Sequence, residues 1–444
     1  MSESASTPRE VAFRVVSRVD ADGAWANLVI ERDKGAAELD RRDRAFVTAL
    51  IAVTLQRQIT LDHLIEKLAD RPAASLQLEV RTALRLGMGQ VLFMDGVADH
   101  AAVSESVDLV EGRGQRGFVN AILRRAVRER AALLKSLRDK TPEQAAITHG
   151  MPLWIVDRWW AQFGPERARE LLASQNEVGE TALRPNRLLV DSAEARRLLE
   201  AAGVELTEAE WPAGALLATG PLDRTDSNLL RAVVVQARGA QLAASLTDLN
   251  GGEQVLELCA APGGKTLALA EAVGQNGSVV AVEAHAGRAK RLAERLKLMG
   301  AADRVTVRHG DAREVDGTLY DAVLVDPPCS ALGILRSRPD RRHHARAEEL
   351  KSLVRMQREI AATAVASLRP GGTFIWCTCT TTVEENESIL RPLVEAGLLE
   401  QHGTPMPEEF EVMKLPALDG GLMIPPLRGD GFVIARLQRT ERPI

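Results

Sequence analysis

Five places in the second half of the chain carry residue types that do chemistry when set at the end of a strand. The first is the run Glu257-Leu258-Cys259-Ala260-Ala261-Pro262-Gly263-Gly264-Lys265-Thr266, between a predicted strand and a predicted helix. Small residues and paired glycines there let the backbone approach a ligand at a helix N-terminus. The run is not a P-loop, because the required first glycine is missing, and no Gly-x-Gly-x-x-Gly dinucleotide fingerprint is present. Glu283 closes the next predicted strand, where an acid can accept hydrogen bonds from a ribose diol. Asp311 follows the third, where its carboxylate or the adjacent backbone could read an adenine amino group. Alone, each acid is equally a cap or turn residue. Together, in successive strand–loop order at strand carboxyl ends, they point to a nucleoside-bearing cofactor.

Two further loops bring thiols to the same sheet edge. Asp326-Pro327-Pro328-Cys329-Ser330 follows the apolar run Ala322–Val325, and its two prolines stiffen the loop that carries Asp326 and Cys329. Trp376-Cys377-Thr378-Cys379-Thr380 ends the run Thr373–Trp376. Of Cys377 and Cys379, one is expected to face the core and the other the pocket. Buried apolar thiols are the bland alternative for any single cysteine. A zinc site is disfavoured, since there is no Cys-x-x-Cys and His343-His344 lack matching ligand spacing.

The elements that position these residues are legible from 231 onward. Val255–Leu258, Val279–Val282, Val305–Val307, Ala322–Val325 and Thr373–Trp376 are short apolar or β-branched runs. Helical stretches such as Gly287–Met299 and Ala347–Leu368 separate several of them. Apolar strands alternating with helices predict a parallel sheet covered on both faces. Residues 8–140 instead read as a helical bundle, with Val11, Val15, Val16 and Val19 at helical spacing and prolines only at Pro8 and Pro72. Between them, residues 141–230 read as a linking region with a small α/β element. Its Trp154, Trp159 and Trp160 are packing anchors or, alternatively, base-stacking groups.

Composition bounds the function. The length of 444 residues predicts two or three domains, and 45% apolar with 26% charged residues describes a globular chain. With 56 basic against 61 acidic residues the net charge is −5, so any attraction for nucleic acid must be local. One local basic stretch is Gly112 to Lys140, including Arg113, Arg116, Arg124, Arg125 and Arg128, either a solvated face or a phosphate-contacting one. A second is Arg336, Arg338, Arg341, Arg342, His343 and His344, for which phosphate contact is expected from its place beside the Asp-Pro-Pro-Cys loop. Aromatics are only 3%, so stacking platforms are scarce. No apolar run reaches the roughly 18 residues of a membrane span. The polar start Met1 to Glu10 lacks a signal-peptide core, and the four cysteines form no disulfide framework, so the cytoplasm is expected.

Cys-Ala-Ala-Pro-Gly-Gly-Lys-Thr, Asp-Pro-Pro-Cys-Ser and Thr-Cys together resemble the RNA cytosine-5 methyltransferases that use two active-site cysteines. The resemblance runs over about residues 180–444, including Arg184-Pro185-Asn186 and Asp430-Gly431-Phe432. Asp40-Arg41-Arg42-Asp43-Arg44-Ala45-Phe46 and Gly117–Arg125 resemble the NusB RNA-binding fold. That order of domains is similar to the RsmB (Sun) family of bacterial 16S ribosomal RNA cytosine-5 methyltransferases. The resemblance implies a NusB-like bundle at 8–140, the linking element at 141–230, and a Rossmann-like methyltransferase domain at 231–444 that uses S-adenosyl-L-methionine. It implies Cys379 as the thiol that adds to carbon 6 of cytosine, Asp326 at N3 of the base, and Cys329 in release. Cofactor contacts carried over are Cys259, Ala260, Ala261, Pro262, Gly263, Gly264 and Lys265, with Glu283, Asp311 and Asp326. The implied partner is 16S ribosomal RNA or a small-subunit assembly intermediate, with neither metal nor membrane.

The chain departs from the family at three places: Ala237 where an aspartate commonly follows Gln236, Glu283 where aspartate is common, and Thr380 where serine is usual. Three rival readings stand beside the first. The same chemistry on transfer RNA differs only in substrate. A non-catalytic NusB-like RNA-binding factor is disfavoured by the intact Cys329, Cys379 and Asp326. A DNA methyltransferase would attack through Cys329 and leave Cys379 without a task.

Overall fold

A computed structural model describes residues 6–443, apart from 210, 220–221, 223–225, 316, 403–412, 416–417 and 428. The first five residues of the polar start thus lie outside the described residues. The chain forms two compact units, Met1–Val178 with Leu335–Ala345, and Gly179–Ile334 with Arg346–Ile444. The segment 141–230, read from sequence as one linking region, is shared between them.

The first unit is helical. Thr7 starts its first helix, Pro8–Asp22, with a reciprocal cap to Glu10, and Asp40 caps Arg41–Gln56 by accepting from the Asp43 amide at 2.8 Å. The apolar faces of helices Gln58–Ala69, Leu78–Phe93 and Arg113–Ser136 meet in a core that includes Leu61, Leu64, Leu84, Met88 and Leu123. Gly87 permits that packing, because a Cβ there would lie 2.6 Å from Leu123. Trp159 is fully buried on the helix Leu153–Ser174, consistent with the anchoring role.

In the basic segment 335–345 the expectation of phosphate contact fails for Arg336 and Arg342, whereas Arg338 is exposed. Within the first unit Arg342 is 1% exposed. Its Nη1 donates to the carbonyls of Gln56 at 2.7 Å and His149 at 3.1 Å and to Asn176 Oδ1 at 3.0 Å, and its Nη2 to the carbonyl of Gln175 at 2.6 Å. Gln56, His149 and Gln175 each end a helix, so three negative dipole ends converge on one guanidinium. His343 meets the Leu55 carbonyl, and Asp340 accepts from the Ala26 amide. Arg336 is buried as well. The positive charges of Arg336 and Arg342 are therefore spent inside the protein.

The second unit holds two sheets. β1 (Thr181–Pro185), β2 (Glu205–Glu208), β3 (Leu216–Thr219) and β4 (Val233–Val235) pair antiparallel in the order β2-β3-β1-β4. The larger sheet comprises β5 (Gln254–Leu258), β6 (Ser278–Glu283), β7 (Val305–His309), β8 (Tyr320–Val325), β9 (Leu368–Thr378), β10 (Leu399–Gln401), β11 (Met413–Leu415), β12 (Leu418–Ile424) and β13 (Phe432–Arg439). Its order is β11-β12-β13-β9-β8-β5-β6-β7, with β10 also on β13. The stretch β9-β8-β5-β6-β7 is parallel, as expected, while β10 to β13 add antiparallel strands that the apolar runs did not reveal. Helices Gly264–Ala272, Ala286–Leu298 and Glu349–Ala366 make the crossovers.

The Arg-x-Asn element ties the two sheets together. Arg184 pairs with Glu271 at 2.6 Å, and fully buried Asn186 donates to the carbonyls of Arg231 and Met299. Its role is thus structural. Ala237, the departure before β5, is the N-cap of the helix Arg238–Ser245 and makes no side-chain cap. The missing acid therefore removes a helix cap.

Candidate active site

Strand order reverses between β5 and β8, and that crevice at the carboxyl ends is where open α/β sheets bind ligands. The candidate site residues from sequence lie on loops, strand ends or, for Gly264 and Lys265, the first turn of a helix there. After β5 the chain turns through Cys259 at φ 65° and Gly263 at φ 95° before the helix starting at Gly264. Gly263 is doubly constrained, since an added Cβ would lie 2.4 Å from Leu292. Arg288 donates to the Ala261 carbonyl and Arg295 to that of Pro262, which holds the turn open.

Glu283 is 3% exposed at the end of β6. Its Oε2 accepts from the Ala261 amide at 3.4 Å and its Oε1 from the His285 amide at 3.0 Å. Arg288 Nη2 also lies 3.5 Å from Oε2, and of the about four acceptor sites of a carboxylate some capacity remains for a ribose hydroxyl. Asp311 is held differently. Arg313 donates its amide and Nε to Oδ1 and its Nη2 to Oδ2, which lowers the carboxyl to about 2.

Beneath the turn, Glu257 is 1% exposed and its Oε2 has no partner among the described residues. Burial pushes its carboxyl up to about 8. An unpartnered buried oxygen under a glycine turn, beside an acid with spare acceptor sites, fits a polar cofactor. Among the described residues no cluster of His, Cys, Asp or Glu is built to hold a metal.

Lys265 has a partner that the sequence did not announce. Its Nζ lies 2.6 Å from Asp326 Oδ2, and the Asp326 charge keeps the ammonium well above its ordinary value despite burial. The lysine thus reaches the acid of the Asp-Pro-Pro-Cys loop, a partnership that no motif spacing announced. Cys377 and Cys379 stand two residues apart, which puts them on one strand face, and they differ in burial because β9 ends at Thr378, between them. Cys377 is fully buried in the core, and burial pushes it up to about 12. Cys259 is likewise raised to about 12 by burial. Cys379 is half-buried, and its Sγ lies 3.5 Å from that of Cys329. That contact and burial hold the Cys329 thiol well above its ordinary value.

The loop after β9 rests on residues that motif reading missed. Buried Asn386 accepts from Trp376 Nε1 and Thr378 Oγ1, and donates to the carbonyls of Thr380 and Thr382. Glu385 beside it is buried too. The signal was a polar Glu-Glu-Asn run shortly after Cys379. Gly333 closes the other side, donating its amide to the Cys379 carbonyl at 2.9 Å and accepting from the Gly431 amide at 2.7 Å.

Comparison with known proteins agrees with this arrangement. The family described as 16S rRNA methyltransferase RsmB/F matches residues 244–438, the NusB family residues 6–128, and the ferredoxin-like domain of RsmF/B-like methyltransferases residues 151–224. The ribosomal RNA small subunit methyltransferase B of Klebsiella pneumoniae is 31% identical, with 89% of this chain and 90% of that protein covered. The probable ribosomal RNA small subunit methyltransferase B of Bacillus subtilis is 28% identical over 97% of this chain and 98% of its own length. Among solved structures, PH0851 has a TM-score of 0.76 at 22% identity, covering 98% of this chain and 99% of that one. NSun6 from Pyrococcus horikoshii, solved with SFG, has a TM-score of 0.60 at 18% identity, covering 66% of this chain and 99% of that one. These two likenesses concern the fold. With a NusB-type helical domain ahead of a Rossmann-like sheet, the chain belongs to the S-adenosylmethionine-dependent ribosomal RNA small subunit methyltransferase B family.

Proposed function

We propose that this enzyme methylates carbon 5 of a cytosine in 16S ribosomal RNA through a covalent adduct between Cys379 and carbon 6. The observation that carries the reading is the pair of thiols 3.5 Å apart, together with the Lys265–Asp326 ion pair at the same sheet edge. Carbon 5 of cytosine is a poor nucleophile until a thiolate adds at carbon 6 and makes the ring enamine-like. Burial and the neighbouring sulfur hold the Cys329 thiol up, so it keeps its proton, and the family resemblance makes Cys379 the attacking sulfur. Asp326 faces N3, where it hydrogen-bonds or protonates the ring as charge develops, and Lys265 at 2.6 Å holds its carboxyl in place. The target base must leave its stack to reach these groups.

S-adenosylmethionine, when bound, supplies the methyl group. Residues Cys259 to Lys265 form its cradle, Glu283 takes the ribose hydroxyls, and Asp311 takes the adenine amino group through acceptor capacity that Arg313 leaves free. After transfer Cys329 acts as a relay. It accepts the carbon-5 proton while its own proton goes to Cys379, whose bond to carbon 6 breaks.

The test compares wild type, Cys379→Ala and Cys329→Ala with labelled S-adenosylmethionine on unmethylated 16S RNA, with transfer RNA in parallel. Label in 16S RNA that Cys379→Ala abolishes, with an adduct surviving denaturing gels in Cys329→Ala, is the expected result. Label in transfer RNA alone would move the substrate and keep the chemistry. An adduct trapped in Cys379→Ala would reverse the thiol roles.

A further inference from the structure

Glu385 is completely buried beside the two thiol loops, and its carboxylate is met by four hydrogen-bond donors. Oε1 accepts from the Ser330 amide at 2.8 Å and from Gln357 Nε2 at 3.0 Å. Oε2 accepts from Thr382 Oγ1 at 2.7 Å and from Ser330 Oγ. Four donors fill the acceptor sites of an ionised carboxylate, and hydrogen bonds to a charged group are the strong ones.

The partners bracket the cysteines. Gln357 Nε2 also donates to the Pro328 carbonyl at 2.8 Å, so both neighbours of Cys329 are pinned through one acid. Since the Ser330 proton goes to Glu385, the Thr380 hydroxyl donates to Ser330 Oγ across 2.8 Å. That pins the residue after Cys379 to the residue after Cys329. Thr382 anchors the far end of the same loop.

We propose that Glu385 is the positioning residue of the thiol pair: it sets the Cys329–Cys379 separation without touching either sulfur. The consequence for catalysis rests on the covalent reading above. Cys329 must stand close to the departing Cys379 sulfur, so loosening the bracket slows release more than attack. Adduct then accumulates even though Cys329 is intact. A displacement of about 1 Å at a reacting centre can cost about 10²-fold.

The substitutions separate positioning from general packing. Glu385→Gln keeps one carbonyl oxygen for the Ser330 amide and Gln357. Its new amide group can donate to the Ser330 and Thr382 hydroxyls once these turn. Glu385→Ala removes all four bonds, and Gln357→Met removes only the Pro328 half of the bracket.

The test uses the full chain and needs neither RNA nor cofactor for its first readout. Diamide, an azodicarboxamide oxidant, accepts two electrons and two protons as the two thiols join into a disulfide. The rate of Cys329–Cys379 disulfide formation, followed by peptide mass, thus reports their separation. The expected results are a rate within about threefold of wild type for Glu385→Gln and a rate about 10- to 100-fold lower for Glu385→Ala, with Gln357→Met between them. The second readout is RNA adduct on denaturing gels, expected in Glu385→Ala and absent in Glu385→Gln. A cooperatively melting Glu385→Ala that forms the disulfide at the wild-type rate overturns the proposal. If that variant does not fold, a wild-type rate in Gln357→Met overturns it instead. A slowed disulfide with adduct in Cys329→Ala but none in Glu385→Ala removes the link to release. A slowed disulfide with no adduct even in Cys329→Ala supports positioning and counts against the covalent reading.

Discussion

Lys265 sits in a glycine-rich turn of the kind that binds a cofactor, yet its ammonium is committed to Asp326. Lys265→Met should lower methyl transfer by about 10²-fold or more, because a preorganised charge opposite the reacting base is lost. Single-turnover label incorporation measures that loss, and calorimetric titration with S-adenosylmethionine locates it. Retained affinity with lost transfer ties the lysine to Asp326, whereas lost affinity would return it to the cofactor cradle. Ala237 is a simpler case. As an uncapped N-cap, its replacement Ala237→Asp should stabilise the second unit by about 1 kcal/mol, read as a higher urea midpoint with methyl transfer unchanged. At this scale the thiols were legible as a pair at a strand end; strand periodicity puts Cys377 and Cys379 on one face, and they differ in burial because β9 ends at Thr378, between them. Glu385 and Asn386 were not, since a buried acid and a surface acid look alike in a sequence.

Among elements, the loop from Ala331 to Ile334 is the most tightly constrained part of the site. A Cβ on Gly333 would lie 2.2 Å from the Gly431 carbonyl oxygen and 2.9 Å from that of Cys379, both backbone atoms that cannot swing aside. Gly333→Ala should therefore push the Cys379 loop away and destabilise the second unit by about 1 to 3 kcal/mol. Its methyl transfer should fall more than its stability explains, which activity assays well below the melting transition would show. A variant with wild-type transfer would mean that the loop yields without moving the thiol. The five strands expected from apolar runs all appear, because both faces of a parallel sheet are covered and its strands are apolar throughout. The antiparallel strands β10 to β13 escaped, because their places depend on pairing with β9 and with one another.

At the scale of the whole molecule, acid should weaken the first unit. His343 is half-buried near Arg342, Arg85 and His344, and desolvation lowers its imidazole from 6.5 to about 4. His149 is lowered as well, mainly by burial, with Arg57 and Arg342 acting against the pull of Asp139. A depressed basic group binds fewer protons folded than unfolded between the two values. Stability is thus fully present above about pH 6.5 and is lost as pH falls toward 4, with His343 contributing on the order of 3 kcal/mol. Urea midpoints followed by tryptophan fluorescence would measure this, since Trp25, Trp154, Trp159 and Trp160 all lie in the first unit. His343→Leu should flatten the slope over that window, and an unchanged slope would exclude His343 as its source.

The sequence by itself determined the parts whose physics is local. These are helical periodicity in the first unit, strand–loop order in the second, the glycine turn after β5, and the placing of Asp326, Cys329 and Cys379 at strand carboxyl ends. Only the tertiary structure decided the partners. Arg342 in the basic run reads as a phosphate contact until three helix ends are seen to surround it. Lys265 reads as a residue of the glycine turn alone until Asp326 is found opposite it. The reason is shared: a charge in a sequence is defined by its type, but its work depends on which groups burial brings within a few ångströms, and those come from distant segments of the chain.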